Sequence, residues 1–456
     1  MDLNNVGPQP SPEAPRLLTF AKEHGGNDDT RHSDLDGAQG AGEQNTRARQ
    51  LSTMPGSGEN RTETYNQYVE GGSKLLTLQP ASSAAGVTSL AGQKGSTVRS
   101  PHFNFYHDEP LFGLDIGHAN IKVMQLETRH DKKPEVLGYG ISDYYPQDAV
   151  ANGVIMKPDV LASALHELFE RRLTGSITTR RVACTVPTTH IFSRPMTLPL
   201  MNDAALAEAV HLEAEQYIPM PADKLYLDYE VLRRGEQGVE LLMVAAPKAI
   251  IDSHVNFLQS MNLYPVAIEP TMNAAARLFR VADPSHSQPS LLIDFGSIAV
   301  DIAVFDQTMF VNSTVPGGSE TITKLLAQEF RSSLSEAYVI KSQHGLTASA
   351  QLPKIKAALQ PMLDNLIREI RKMIRYYEER SAHKHSRIAQ IILFGGGAIM
   401  PGLNDYLSRE LKIPARPLKP WTKIDFGHLE PPTELASTIY ITVAGLAILE
   451  PKEIFA

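Results

Sequence analysis

Asp115 and Gly117 lie within Gly113-Leu114-Asp115-Ile116-Gly117-His118-Ala119-Asn120-Ile121-Lys122-Val123. Asp294 and Gly296 lie within Leu292-Ile293-Asp294-Phe295-Gly296-Ser297-Ile298-Ala299-Val300-Asp301. Both stretches set an apolar strand before Asp-x-Gly, a tight turn and a second apolar strand. Such a bend exposes several backbone N–H groups, and its glycine allows the close approach that a phosphate needs. The two copies predict a duplicated fold that holds one polyphosphate between its halves.

Other residues add to that chemistry. Lys122, on the strand leaving the first turn, either points back at a β-phosphate or is an ordinary exposed strand residue. Asp115 and Asp294 are short acids at strand ends. Facing each other across a cleft they can hold the waters of Mg²⁺, which keeps much of its hydration shell; the other reading is two turn-capping aspartates. Gly395, Gly396 and Gly397 end an apolar run before Ala398. Three glycines let backbone lie flat against a ribose or α-phosphate, or simply make a flexible turn. The segment is neither a Walker loop nor a dinucleotide fingerprint, because the Lys-Ser/Thr pair and the spaced glycines are missing. Pro316-Gly317-Gly318 opens a predicted helix, whose N-terminus is an anion site unless the tripeptide is a plain turn. His383 and His385 lie in a polar loop without Cys or acidic neighbours, which reads as solvated loop, not metal site. No Ser/His/Asp nucleophile elbow is visible.

The elements that must position these residues can be read in outline. Residues 1–105 form a polar tail with too little apolar area to offset its ordering entropy, although Leu75-Leu76-Thr77-Leu78 could dock elsewhere. Strands are predicted at 111–117, 120–127 and 135–142, a helix opened by Pro158, and a buried strand from Arg181 to Pro187. A βαββ unit follows: a strand at 190–198, a helix from an Asp203 N-cap to Ile218, and strands at 225–232 and 239–246. Next come a helix at 249–261, a strand at 265–269, a helix at 270–280 and a linker at 283–290. Strands at 291–296, 299–305 and 309–315, a long helix at 353–380, a strand at 389–394 and a last helix at 435–449 complete the pattern. The expected division is 106–189 with 249–282 as first half, 190–248 as inserted subdomain and 283–430 as second half. Residues 431–456 then return as a helix to the first half.

Composition narrows the function class. The chain has 456 residues, 42% of them apolar, and a net charge of -8, which argues against nucleic-acid binding. Its one cysteine, Cys184, lies in a strand-like apolar run and reads as a small buried hydrophobe. With one cysteine no internal disulfide forms, as suits a reducing compartment. No secretory signal is visible at the start. The longest apolar stretch, Ile439 to Leu449, is shorter than the roughly 20 residues a bilayer requires. The expected location is cytoplasmic, with any membrane association through a partner.

Taken in order, these pieces resemble the actin-like ATPase superfamily: two phosphate turns, a connecting segment between them and an adenosine segment at Gly395 to Ala398. The connecting segment, Ile268-Glu269-Pro270-Thr271-Met272-Asn273-Ala274-Ala275, resembles the Glu-Pro-Thr-Ala-Ala-Ala stretch of the heat-shock chaperone ATPases. Glu213-Ala214-Glu215-Gln216-Tyr217-Ile218-Pro219-Met220-Pro221, followed by Leu227-Asp228-Tyr229-Glu230-Val231-Leu232, resembles the PilM family of type IV pilus assembly proteins, relatives of the cell-division protein FtsA. The resemblance spans about Leu111 to Leu449. It implies an α/β actin-like fold of two duplicated halves around a nucleotide cleft, with ATP and Mg²⁺ as cofactors. It also implies a partner: the N-terminal cytoplasmic segment of a PilN-like inner-membrane protein, in a groove beside the inserted βαββ subdomain. Glu213, Gln216, Tyr217 and Pro219 are the candidate wall of that groove, unless the helix end merely packs on its sheet. Other pilus platform proteins and self-association are further implied contacts. Glu269 either positions the attacking water or caps a helix. His118 stands where the family carries a small hydroxyl residue, and Ile298 and Val300 where it carries Thr or Ser. With Asp301 nearby, weak or absent hydrolysis is expected. The competing readings are an FtsA-like filament protein and an active ATPase or kinase of this fold.

Overall fold

The computed structural model describes residues 110–128, 133–145, 147–236, 238–380 and 387–449. The polar tail, the Leu75–Leu78 cluster, the His383–His385 loop and the end of the last expected segment lie outside the described residues.

The first half opens on strands β1 (Phe112–Ile116), β2 (Asn120–Glu127) and β3 (Glu135–Asp143), an antiparallel meander. Every residue of β1 is buried, as a central strand of apolar sequence should be. A short hairpin, β4 (Val150–Ala151) and β5 (Val154–Ile155), precedes helix α1 (Pro158–Glu167), which buries Leu161, Ala164 and Leu165. Strands β6 (Leu173–Gly175) and β7 (Arg181–Val186) follow.

The chain then builds a separate three-stranded sheet from β8 (Phe192–Leu198), β9 (Leu225–Gly235) and β10 (Gly238–Pro247), in the order β8-β10-β9. Helix α2 (Asp203–Tyr217) buries Leu206, Val210 and Ala214. Its N-cap is Asn202, not Asp203: the Asn202 side chain accepts from the Ala205 N–H at 2.9 Å. Asp203 is the first helical residue and pairs with Arg234 instead. Helix α3 (Lys248–Ser260), strand β11 (Tyr264–Pro270) and helix α4 (Thr271–Ala282) return to the first sheet, whose order is β11-β7-β1-β2-β3-β6.

The second sheet repeats the plan. Strands β12 (Ser290–Phe295), β13 (Ala299–Asp306) and β14 (Thr308–Pro316) form a second meander. Helices α5 (Ser319–Phe330), α6 (Leu334–Gln343) and α7 (Leu352–Arg380) lead to β15 (Gln390–Phe394), which runs parallel to β12. Helix α8 (Leu403–Leu411) and β16 (Ala415–Pro417) complete the order β14-β13-β12-β15-β16. Ile355, Leu359, Leu363, Leu366 and Ile370 of α7 are buried at helical spacing against this sheet's core.

The last expected helix is broken into α9 (Glu434–Ser437), a 3₁₀ turn over Thr438–Tyr440 and α10 (Ile441–Ala447). The cause is local. The Thr438 carbonyl accepts from the Gly395 N–H at 3.0 Å, so it is diverted from an ordinary helical bond. Helix α10 packs against α4 and the β1–β2 face. Gly445 permits this, since a Cβ there would lie 1.8 Å from the Ala274 carbonyl oxygen. No helix among the described residues is long and apolar enough to cross a membrane.

Candidate functional site

The two Asp-x-Gly hairpins have the same backbone construction. Gly117 N–H closes the first bend on Asn120 O at 2.9 Å, and Gly296 N–H closes the second on Ala299 O at 3.0 Å. Antiparallel register sets Asp115 opposite Lys122, and Asp294 opposite Asp301. A parallel strand flanks each copy: β7 beside β1, and β15 beside β12.

Both hairpins open on one cavity of about 500 Å³. Asp115, Gly117, His118, Ala119 and Lys122 line it from the first half, and Asp294, Gly296 and Ser297 from the second. Gly395 and Gly396 complete the wall beside Thr438, Ile439 and Thr442. Gly395 has φ +84°, and a Cβ there would meet Asp294 Oδ1 at 2.1 Å, so only glycine fits.

Four sequence candidates are placed elsewhere. Gly397 lies beneath Phe295, whose ring a Cβ would meet at 2.2 Å. Gly317 and Gly318 let α5 dock on the second bend; a Cβ on Gly318 would meet Gly296 O at 2.4 Å. The first N–H groups of α5 are consumed there, Ser319 N–H by Gly296 O at 2.9 Å and Glu320 N–H by Ser297 O at 2.8 Å. That helix end therefore braces the turn and does not offer these donors to an anion. Glu269 is buried, and both its oxygens are taken by the Arg277 guanidinium, at 2.6 and 2.8 Å. Arg277 also donates to Gly445 O at 3.0 Å. Glu269 neither faces the cavity nor has an oxygen free to orient water; it fastens α10 to the first half.

Charge in the cavity is unbalanced. The Asp115 carboxylate accepts from Lys122 Nζ at 2.8 Å and from the Thr185 hydroxyl at 2.7 Å. Among the described residues Asp294 has no such donor. Burial, then the nearby Asp301 and Asp115 charges, push its carboxyl up to about 7, with Lys122 opposing. Burial also pushes Asp301 up to about 6, although the Thr314 and Thr189 hydroxyls donate to it. Among the described residues no three His, Cys, Asp or Glu side chains converge closely enough to ligate a metal directly.

The other candidate residues gather at the C-terminal end of α2, away from the cavity lining. Glu213 is half-buried, Gln216, Tyr217 and Pro219 are exposed, and Ile218 is buried. The Arg194 guanidinium stacks 3.3 Å over the Tyr217 ring centre.

A family model described as type IV pilus assembly protein PilM matches residues 113–450. The chain belongs to the PilM family. Among solved structures it is similar to a PilM–PilN type IV pilus biogenesis complex, at TM-score 0.65 and 21% identity, over 76% of this chain and 99% of that one. It is also similar to the ethanolamine utilization protein EutJ of Carboxydothermus hydrogenoformans, at TM-score 0.43 and 15% identity, over 74% and 88%. A third is MreB 5 of Spiroplasma citri bound to AMPPNP, at TM-score 0.42 and 13% identity, over 75% and 96%. The first of these likenesses shows a shared fold.

Within this PilM-family chain, sequence reasoning missed several residues of the site. Thr185 lies in the strand that the sequence marks as buried, and Thr189 in the short turn after it, where no local pattern marks it. Asp301 was read from the sequence as a nearby acid, but not as the counterpart of Lys122, whose seven-residue offset from Asp115 it repeats in the second hairpin. Tyr144, whose hydroxyl donates to Gly117 O at 2.5 Å, and Glu320 left no local pattern by which to find them.

Proposed function

We propose that this PilM-family chain is a cytoplasmic ATP-binding scaffold of type IV pilus assembly. Its cleft takes ATP with Mg²⁺. Its inserted subdomain takes the N-terminal cytoplasmic segment of a PilN-like inner-membrane protein, which brings the chain to the membrane. The observation that carries the nucleotide reading is the pair of like-built hairpins lining a single cavity.

On this reading Lys122 Nζ, beside Gly117, neutralises a β-phosphate, while the bends supply backbone N–H groups. Gly395 and Gly396 leave room for the ribose side. Asp115 and Asp294 fit a hydrated cation: among the described residues no donor reaches Asp294, which sits with two other acids against one ammonium. Bound there, Mg²⁺ supplies the positive charge that three carboxylates and a triphosphate need. With Glu269 locked to Arg277, the site has no acid held ready for water in the connecting segment, which supports slow or absent turnover.

The partner reading rests on the family, on the likeness to a PilM–PilN complex, and on the exposed Tyr217 end of α2. An extended peptide in a groove is a common recognition mode. Nucleotide spanning two halves shifts the population of their orientations, and so alters the groove beside them. Fluorescence anisotropy with a labelled peptide of the partner's cytoplasmic segment tests the switch. Mg·ATP is expected to change peptide affinity, and Tyr217→Ala to weaken it. Equal affinity with and without ATP overturns the switch.

A further inference from the structure

One acid belongs to neither phosphate turn yet touches both. Glu320, in the first turn of α5, is fixed beside the second bend through its N–H bond to Ser297 O. Its Oε2 lies 3.5 Å from the Ser297 hydroxyl and 3.8 Å from His118 Nε2 on the opposite hairpin. Its Oε1 pairs with Lys324 Nζ at 2.7 Å. His118 and Ser297 both line the cavity, and the next three residues of the second turn, Ile298, Ala299 and Val300, carry no hydroxyl.

We propose that Glu320 stands in for a terminal phosphate, and that His118, Ser297 and Glu320 together distinguish nucleoside triphosphate from diphosphate. This rests on the nucleotide reading above. Both contacts to Oε2 are longer than the roughly 2.7–3.2 Å of a good hydrogen bond. A phosphate oxygen at ordinary reach takes both donors from the carboxylate. Glu320 then faces a dianion, and the repulsion is relieved by turning fully onto Lys324, which it already holds. A diphosphate brings no group to this position and leaves the contacts intact. The triphosphate alone thus exchanges the carboxylate link between the hairpins for a phosphate link.

Titration calorimetry of the full chain with Mg·AMPPNP and with Mg·ADP tests this. Glu320→Gln removes the repulsion, and the triphosphate analogue is expected to bind about tenfold more tightly with ADP unchanged, the scale of one charge-assisted contact. His118→Ala removes a donor and is expected to weaken the analogue by a similar factor, again sparing ADP. If both variants keep the wild-type ratio of the two affinities within about twofold, well under that contact's worth, the discrimination role is overturned while the nucleotide reading stands. If the wild-type chain takes up neither nucleotide, both fail.

Discussion

Asp294 shows how an acid lining the cavity costs stability. Its folded-state value near 7 lies above the ordinary 3.8, so between those limits the folded protein keeps a proton that the unfolded chain has released. Stability therefore falls as pH rises through that window, and the penalty is complete above about 7. Asp294→Asn removes the charge. In EDTA-containing buffer the variant should be more stable than wild type at pH 8, with the gap closing as pH falls toward 4. Urea unfolding at several pH values measures it, and a gap independent of pH contradicts the assignment. Gly395→Ala acts on the same carboxylate from outside. It combines a left-handed backbone with a Cβ on Asp294 Oδ1, and should cost about 1–3 kcal/mol by urea midpoint.

At the scale of elements, the buried Glu269–Arg277 pair joins β11 to α4, and through Gly445 O to α10. Glu269→Gln leaves the Arg277 charge buried without a counter-charge, and should cost about 3–5 kcal/mol in a denaturant melt. A double change of Glu269→Leu with Arg277→Met should recover most of that loss. A variant of Glu269 with full stability but lost nucleotide turnover would restore it as a catalytic residue. This pair also shows what the sequence left hidden. Strands with continuous apolar runs, such as Arg181–Val186, and the amphipathic α7 were legible because their burial is written in local periodicity. Glu269 in its connecting segment was not, because its partner lies one helix later and faces inward. The break before α10 was equally hidden, since it depends on the Gly395 N–H from a distant strand. Of the site, the glycines and acids of the two bends could be read because Asp-x-Gly between two apolar strands is a local pattern that occurs twice. Thr189, Tyr144 and Glu320 could not, because they reach the site only through tertiary packing.

For the whole molecule, the proposed nucleotide is the link between two halves built alike. Each hairpin alone presents a short bend, and only together do they enclose a cavity of about 500 Å³. Damage to either hairpin should then weaken the same binding event. Calorimetric titration of Mg·ATP into the full chain tests this most directly. Saturable uptake at one site is expected, weakened at least about tenfold by Lys122→Met in the first hairpin and measurably by Ser297→Val in the second, the scale of losing a charged and a neutral donor. Uptake that ignores either hairpin, or no uptake by the wild-type chain, contradicts it.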